Sequence, residues 1–235
     1  MIALDALVPE VMAHAARDRP RECCGLAVVR RGRLRYWPCR NIAGESEFAL
    51  HPEDQAAAED AGEVVAICHS HVYLPPEPSE ADRVMCGRTR LPWLIVSWPT
   101  GAHRVIEPDG YLPPLVGRPF VHGVLDCYAL VRDYYAGIGI GLRDYPREDD
   151  WWLKGANLYL DHFAAEGFVE IDQYDMRPHD ALLMQIASPV PNHAGVIDRD
   201  GHLLHHCHGR LSSRDVYGGY WRKVTTHVLR HRSLL

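Results

Sequence analysis

Two histidines, His69 and His71, flank a single serine directly after the apolar run of residues 64–68. Because side chains two positions apart on a strand share a face, both imidazoles can reach one ion. Further along, Ser79 is a good helix N-cap, and Asp82 three positions later shares its face of the helix. If the proline-rich loop between them folds back, the imidazoles and the carboxylate converge. A His/His/Asp set suits catalytic Zn²⁺, which takes three protein ligands and keeps one position for water.

A zinc centre of this kind also needs a group that moves protons. Zinc lowers the pKa of its bound water toward neutrality, and a nearby carboxylate must then accept and deliver the proton. Glu22, shortly before the apolar strand that begins at Leu26, is the candidate. Ser79 could donate a hydrogen bond to the oxyanion formed during attack. An HxH pair alone is nevertheless more often structural or solvated than metal-bound.

The full string from His69 to Asp82 is more specific than the HxH pair. It resembles the signature of the JAMM (MPN+) metalloprotease family, which is HxH, seven residues, then SxxD. Glu22 matches the upstream glutamate of that family. The resemblance implies that residues 1–110 form a cytidine-deaminase-like α/β/α domain with one zinc ion, which cleaves peptide or isopeptide bonds.

The same resemblance implies a role for each matching residue. Glu22 would be the general acid/base, and Ser79 would stabilise the tetrahedral intermediate. The implied zinc ligands are His69, His71 and Asp82. A nucleoside deaminase would instead show H-x-E followed by P-C-x-x-C, and the sequence contains neither pattern.

A cysteine at a predicted helix start is the second candidate reactive group. Asp126 is the expected N-cap of a helix over residues 126–136, which puts Cys127 in the first turn. Unpaired N–H groups and the helix dipole at that end favour a thiolate with a lowered pKa. A histidine beside the sulfur would raise its reactivity, and a third polar group would orient that histidine. His193, at the start of a predicted strand, is the candidate base.

The following strand offers His205 or His206 as the orienting group. These two side chains point to opposite faces of a strand, so only one of them can serve. A plainer interpretation stays open, in which Cys127 is a small buried apolar residue. The nearby histidines could then form a surface tract or a second metal site. They are His202, His205, His206 and His208.

Order and spacing favour the catalytic interpretation of this region. Asp-Cys at a helix start, then His193 in His-x-Gly, then His205 twelve positions later, is similar to the NlpC/P60 papain-like peptidases. The resemblance implies that residues 115–235 form a papain-like domain that cuts peptide bonds in bacterial cell-wall peptidoglycan. It also implies that Cys127 is the nucleophile, with His193 as the base and His205 as the orienting residue.

Two departures from the NlpC/P60 pattern concern the first turn and the oxyanion. Tyr128 follows the cysteine where the family usually has serine. Phe120 and His122 stand where many members carry a tyrosine that helps to bind the oxyanion. The oxyanion donor of this domain is therefore open.

The order of the predicted elements separates two halves. Before residue 108, helices interleave with apolar strands, which indicates an α/β sandwich. Residues 108–114 are rich in proline and glycine and form the best domain boundary. Beyond them, helices come first and short strands follow, which indicates an α+β arrangement. The sequence therefore predicts one domain over residues 1–110 and another over residues 115–235.

Composition argues against several classes of protein. The formal net charge is −6 and no long basic run is present, so no nucleic-acid partner is expected. No apolar run is long enough to span a bilayer and no secretory signal is visible, so no membrane insertion is expected. The seven cysteines are odd in number and scattered, which fits reduced thiols in a cytoplasm.

A JAMM-like half followed by an NlpC/P60-like half resembles the tail assembly proteins of lambda-type bacteriophages. Residues 117–128 and 132–135 strengthen this resemblance. It implies a bifunctional peptidase with tail-tip proteins as partners, present in the host cytoplasm during assembly and at the virion tail tip. Two alternatives stay open. One is a cytosolic JAMM-type protease acting on a ubiquitin-like modifier, with a non-catalytic C-terminal binding domain. The other is a tail assembly factor whose catalytic sites are not used.

Overall fold

The computed structural model describes residues 3–235, so residues 1 and 2 of the predicted N-terminal domain lie outside it. The chain divides between Leu112 and Pro113 into two units. Each unit has its own sheet and its own buried apolar clusters. This division falls within the Pro/Gly-rich stretch of the sequence.

The first unit is built around a mixed five-stranded sheet. Its elements, in chain order, are α1 (Val8–Asp18), β1 (Cys24–Arg30), β2 (Arg33–Cys39), α2 (Pro52–Ala61), β3 (Glu63–Val72), α3 (Glu80–Thr89), β4 (Trp93–Trp98) and β5 (His103–Ile106). The strand order is β2-β1-β3-β4-β5. Strands β3 and β4 are parallel, and the other neighbouring strands are antiparallel.

Helices cover both faces of this sheet. Helix α1 packs on one face, where Val11 and Ala15 share a buried cluster with Cys68 of β3. Helices α2 and α3 lie on the other face, with Ala58 and Cys86 in a second cluster. Both clusters draw on β1 and β3, because successive strand side chains alternate between the faces. The unit is a three-layer α/β/α sandwich, so the predicted fold class is confirmed.

The second unit places an eleven-residue helix before an antiparallel sheet. Its elements are α4 (Cys127–Gly137), α5 (Leu158–His162), β6 (Phe168–Ile171), β7 (Ala181–Met184), β8 (His193–Ile197), β9 (His202–His205), β10 (Ser213–Val216), α6 (Gly219–Val224) and β11 (Thr225–His231). The strand order is β10-β9-β8-β7-β11-β6. Helix α4 packs on one face of the sheet, where Leu130 and Tyr135 share a cluster with Val196 and Leu204. The predicted α+β class is confirmed.

Some elements of this unit differ from the sequence pattern. Helix α5 is short, with five residues. The sequence pattern does not predict β6 and β10, which are the two edges of the sheet. Strand β10 reads Ser-Arg-Asp-Val and alternates half-buried with exposed residues. Edge strands pair on one side only and often carry charged residues, so β10 lacks the apolar run that marks a central strand.

The helices are short throughout the described chain. The longest, α1 and α4, have eleven residues each. Within residues 3–235 no helix combines the length and the apolar character that crossing a bilayer requires.

Candidate metal centre and candidate thiol site

Strand β3 and the start of α3 bring three predicted zinc ligands together. His69 and His71 share one face of β3, as their spacing requires. Ser79 caps α3, since its Oγ accepts a hydrogen bond from the Asp82 backbone N–H at 3.1 Å. The Asp82 carboxylate in turn accepts from the Ser79 backbone N–H at 2.7 Å. This capping box aims the carboxylate at the two histidines.

The three side chains are spaced as ligands of one ion. His69 Nε2 lies 3.2 Å from His71 Nε2 and 3.4 Å from Asp82 Oδ1. His71 Nε2 lies 3.5 Å from Asp82 Oδ2. A zinc ion with ligands at 2.0–2.1 Å in tetrahedral directions separates neighbouring ligand atoms by about 3.3 Å. The donor set and its spacing therefore fit zinc.

The proton positions on both rings also fit a metal ligand. His71 Nδ1 lies 2.8 Å from the Pro75 carbonyl oxygen. A carbonyl can only accept, so Nδ1 carries the proton and Nε2 is available to a metal. The His69 ring is fully buried and stacks on Phe48 at 4.6 Å. Burial lowers the pKa of His69 to about 4, against the opposing effect of Asp82. His69 is thus neutral near pH 7, which metal binding requires.

Asp82 is ionised although it is buried. Burial alone would raise its pKa, but His71, His69 and the two hydrogen bonds donated by Ser79 outweigh burial and lower the pKa to about 2. The Ser79 hydroxyl donates to Asp82 Oδ2 at 2.8 Å. Oδ1 faces His69 and is the oxygen best placed to bind a metal. The oxyanion role predicted for Ser79 would require its hydroxyl to leave Asp82.

Glu22 reaches this site through strand pairing. In the β1–β3 ladder, Cys24 lies opposite His69, and Glu22 is two residues before Cys24. Its side chain is only 7% exposed. Burial raises the pKa of the Glu22 carboxyl to about 7, with His71 opposing the shift and Asp82 adding to it. The structure therefore brings the predicted acid/base to the predicted zinc ligands.

The candidate thiol lies at the start of α4, which a buried ion pair holds in place. Asp126 caps the helix by accepting from the Ala129 backbone N–H at 2.8 Å. Arg147 Nε donates to Asp126 Oδ2 at 2.7 Å, and both side chains are almost fully buried. Removing one partner of such a pair leaves an uncompensated buried charge, which costs about 3–5 kcal/mol. The sequence pattern does not identify Arg147, which comes from an irregular loop.

Cys127 is more enclosed than the sequence suggests. It is 9% exposed, and its Sγ lies 3.2 Å from the Tyr159 hydroxyl. Burial raises the pKa of the thiol to about 11, with Asp126 adding to the shift and Tyr159 and the backbone of Ala194 opposing it. The pKa is therefore raised instead of lowered, contrary to the prediction, because burial is the largest effect on this thiol. Ala194 follows His193, so the thiol lies beside the start of β8.

Three side chains, His193, His205 and Asp215, form a relay of close polar contacts. His193 Nε2 lies 3.0 Å from His205 Nδ1, and His205 Nε2 lies 3.2 Å from Asp215 Oδ2. When the proton of the His205 ring lies on Nε2, facing the Asp215 carboxylate, Nδ1 can accept a hydrogen bond from His193 Nε2–H. The remaining nitrogen of His193, Nδ1, is then free to act as a base. His206 is directed elsewhere, with its Nε2 3.2 Å from the Arg210 carbonyl oxygen.

Two residues of the candidate thiol site, Tyr159 and Asp215, have no signal in the sequence spacing. Tyr159 of α5 contacts Cys127. The NlpC/P60 pattern instead places a tyrosine before the cysteine in the sequence. The upstream candidates lie elsewhere, since Phe120 packs on His206 and His122 Nε2 lies 3.2 Å from the Arg147 carbonyl oxygen. Asp215 lies on the edge strand β10, which the sequence pattern does not predict.

Comparison with known proteins matches both units. Residues 5–106 match the family model described as prokaryotic homologs of the JAB domain, and residues 117–230 match the NlpC/P60 family. The tail tip assembly protein K of Escherichia phage N15 is 45% identical over 232 residues, covering 97% of this chain and 95% of that protein. The protein of that name from Escherichia phage lambda is 44% identical over 184 residues, covering 78% of this chain and 90% of that protein. Among solved structures, a JAB1/MPN domain protein from Archaeoglobus fulgidus is 18% identical, with a TM-score of 0.32, covering 47% of this chain and 90% of that one.

Proposed function

The chain belongs to the tail tip assembly protein K family, and from this premise we propose that it is a bifunctional peptidase of phage tail assembly. Its JAB/MPN domain hydrolyses a peptide or isopeptide bond with zinc, and its NlpC/P60 domain cuts a cell-wall peptide with Cys127. The observation that carries the proposal is the convergence of His69, His71 and Asp82, whose ligand atoms lie 3.2–3.5 Å apart.

In the JAB/MPN domain, the ligand set His69, His71 and Asp82 would hold zinc, which polarises a carbonyl and lowers the pKa of water when bound. Glu22 is the carboxylate that takes a proton from the attacking water and delivers it to the leaving amine. Ser79 positions Asp82, because its hydroxyl and its backbone N–H both donate to that carboxylate.

In the NlpC/P60 domain, Cys127 Sγ attacks the scissile carbonyl while His193 accepts the thiol proton. His193 then delivers that proton to the leaving amine as the C–N bond breaks, and water hydrolyses the resulting thioester to free the thiol. Because burial favours the protonated thiol, proton transfer accompanies the attack instead of preceding it. His205 and Asp215 hold His193 in the required tautomer. The hydroxyl of Tyr159, 3.2 Å from Sγ, is the donor best placed for the oxyanion.

The proposed partners are other tail-tip proteins, because both relatives are named tail tip assembly proteins. The proposed locations are the host cytoplasm during assembly and the virion tail tip afterwards. The proposed substrate of the thiol site is a peptide of bacterial peptidoglycan.

Metal analysis of the purified full-length protein tests the zinc site. His69→Ala is expected to hold about one zinc ion fewer per chain than wild type, because it removes one of three protein ligands. His103→Ala is the matched control, since His103 is partly exposed on β5 and contacts Asp5. Equal zinc content in wild type and His69→Ala would remove His69 from the ligand set.

Digestion of purified sacculi tests the thiol site. Cys127→Ala is expected to reduce release of peptide fragments by about 1000-fold or more, because the nucleophile is lost. Cys86→Ala is the control, since this buried cysteine belongs to the other unit. Equal digestion by wild type and Cys127→Ala would show that Cys127 is not the nucleophile.

One observation favours a second candidate, an assembly factor in which the thiol site is not used. Cys127 is buried and the pKa of its thiol is raised to about 11, whereas many catalytic cysteines have lowered pKa values. Wild-type protein without activity on sacculi, but required for tail assembly, would support this candidate.

A further inference from the structure

Cys207 brings a thiol to the two histidines of the relay. Its Sγ lies 3.5 Å from His205 Nδ1 and 3.8 Å from His193 Nε2. These two nitrogens are 3.0 Å apart, and all three atoms lie within 4.8 Å of one another. We propose that His193, His205 and Cys207 form a second metal site, for zinc or a similar ion, in the NlpC/P60 domain.

The spacing of the three atoms fits a tetrahedral ion. With zinc–nitrogen distances of 2.0–2.1 Å and a zinc–sulfur distance of about 2.3 Å, neighbouring nitrogen and sulfur ligands are about 3.6 Å apart. The two sulfur–nitrogen distances, 3.5 and 3.8 Å, bracket that value. Thiolate with imidazole selects zinc and related transition metals over magnesium and calcium, which take oxygen ligands.

The groups around the three donors also suit a metal. Asp215 Oδ2 lies 3.2 Å from His205 Nε2, and a proton held there leaves Nδ1 as the ligand atom. This carboxylate–histidine arrangement is common behind metal ligands. The edge-on contact of Trp221 with His205, at 4.4 Å between ring centroids, fixes the ring further. A Cys207 thiolate and Asp215 together would balance the charge of a divalent ion.

Access to the three donors is from one side. His193 and His205 are buried, whereas Cys207 is partly exposed. An ion therefore reaches the site past Cys207, and the three residues leave a fourth position open.

A regulatory role of this site follows if the domain has the proposed peptidase function. In that role, the metal site regulates the thiol peptidase. A metal ion would take the lone pair of His193 Nε2, so the ring proton would have to lie on Nδ1. Nδ1 is the nitrogen that accepts the Cys127 proton in the proposed reaction. A bound metal ion therefore switches the thiol site off, and its loss switches the site on.

Cobalt(II) absorption of the full-length protein tests the metal site without relying on activity. Cobalt bound to a thiolate gives near-ultraviolet charge-transfer absorption, and the His69, His71 and Asp82 set contains no sulfur. Wild type is expected to show this absorption, and Cys207→Ser to lose it. Cys127→Ser, a matched change in the same domain, is expected to keep it. Absence of the absorption from wild type, or its persistence in Cys207→Ser, would overturn the proposal.

Alkylation of wild type provides a second test that needs no variant. Zinc is expected to slow the modification of Cys207, as mapped by mass spectrometry, and an unchanged rate would overturn the proposal even if Cys207→Ser failed to fold.

Sacculus digestion tests the regulatory consequence separately. Zinc is expected to lower wild-type activity by about 100-fold relative to protein treated with chelator, because the general base is lost. In Cys207→Ser the ratio of the two activities should be close to one. Equal inhibition of both proteins would refute the regulation. If the protein digests no sacculi, the proposed peptidase function fails, while the cobalt spectrum still decides the metal site.

Discussion

At the scale of single residues, both sites depend on which ring nitrogen carries a proton. The Pro75 carbonyl takes the proton of His71 Nδ1 and leaves Nε2 for a metal. The Asp215 carboxylate lies 3.2 Å from the opposite nitrogen of His205, Nε2, and its negative charge favours a proton there. Among the described residues, His69 Nδ1 has no hydrogen-bond partner. Stacking on Phe48 therefore sets the orientation of this ring where a hydrogen bond does not.

The protonation of Cys127 gives a prediction at this scale. The pKa of its thiol is raised from 9.0 to about 11 by burial, with Asp126 adding to the shift. Alkylation requires the thiolate, so the rate at Cys127 should climb with pH through 9 and level off only near 11. Peptide mapping after iodoacetamide treatment at a series of pH values measures the alkylation rate at Cys127. A rate that is already level below pH 7 would indicate an ion pair with His193 instead.

At the scale of elements, the two sites use helix starts in different ways. The capping box of α3 holds Asp82 where two strand histidines can meet it. The first turn of α4 holds Cys127 against one face of the sheet. The capping residue Asp126 forms an ion pair with Arg147. In both cases a helix cap that stabilises its element also positions a reactive group.

Ser79→Ala separates the two roles considered for Ser79. The variant loses the N-cap acceptor and the hydroxyl bond to Asp82, so stability should fall by about 1 kcal/mol. Zinc affinity should fall roughly 10- to 100-fold, because Asp82 loses a supporting hydrogen bond. Urea denaturation and competition with a chromophoric chelator measure these quantities, and Ser79→Thr should retain both. Unchanged zinc affinity with a lower kcat would instead assign Ser79 to the oxyanion.

At the scale of the whole molecule, the chain is two units with separate cores. The first unit has apolar clusters on both sheet faces, and so does the second. A ligand that binds only the folded form stabilises the unit that holds it. Zinc on His69, His71 and Asp82 should therefore stabilise the first unit.

Calorimetry in the Cys207→Ser background checks this expectation without the second metal site. Zinc at about 100 times its Kd adds about 2.7 kcal/mol to the free energy of unfolding of the unit that binds it. EDTA should therefore lower the midpoint of one transition and leave the other in place. Adding His69→Ala should abolish the response to EDTA. A response that persists with His69→Ala would place the stabilising ion elsewhere.

Local periodicity in the sequence was enough to predict several relations within the two sites. His69 and His71 share a strand face, Ser79 and Asp82 share the first turn of a helix, and Cys127 follows a helix cap. These relations were predictable because they join residues at most three positions apart. The alternation of apolar segments likewise determined the α/β and α+β classes of the two halves.

Contacts between residues that are distant in the chain could be identified only from the folded structure. Glu22 reaches the proposed metal ligands through the register that sets Cys24 opposite His69. Asp215 reaches His205 from an edge strand without an apolar pattern, and Tyr159 approaches Cys127 from another helix. The enclosure that raises the pKa of Cys127 is likewise set by packing. Strand register and packing join residues far apart in the chain, and no short-range spacing encodes those contacts.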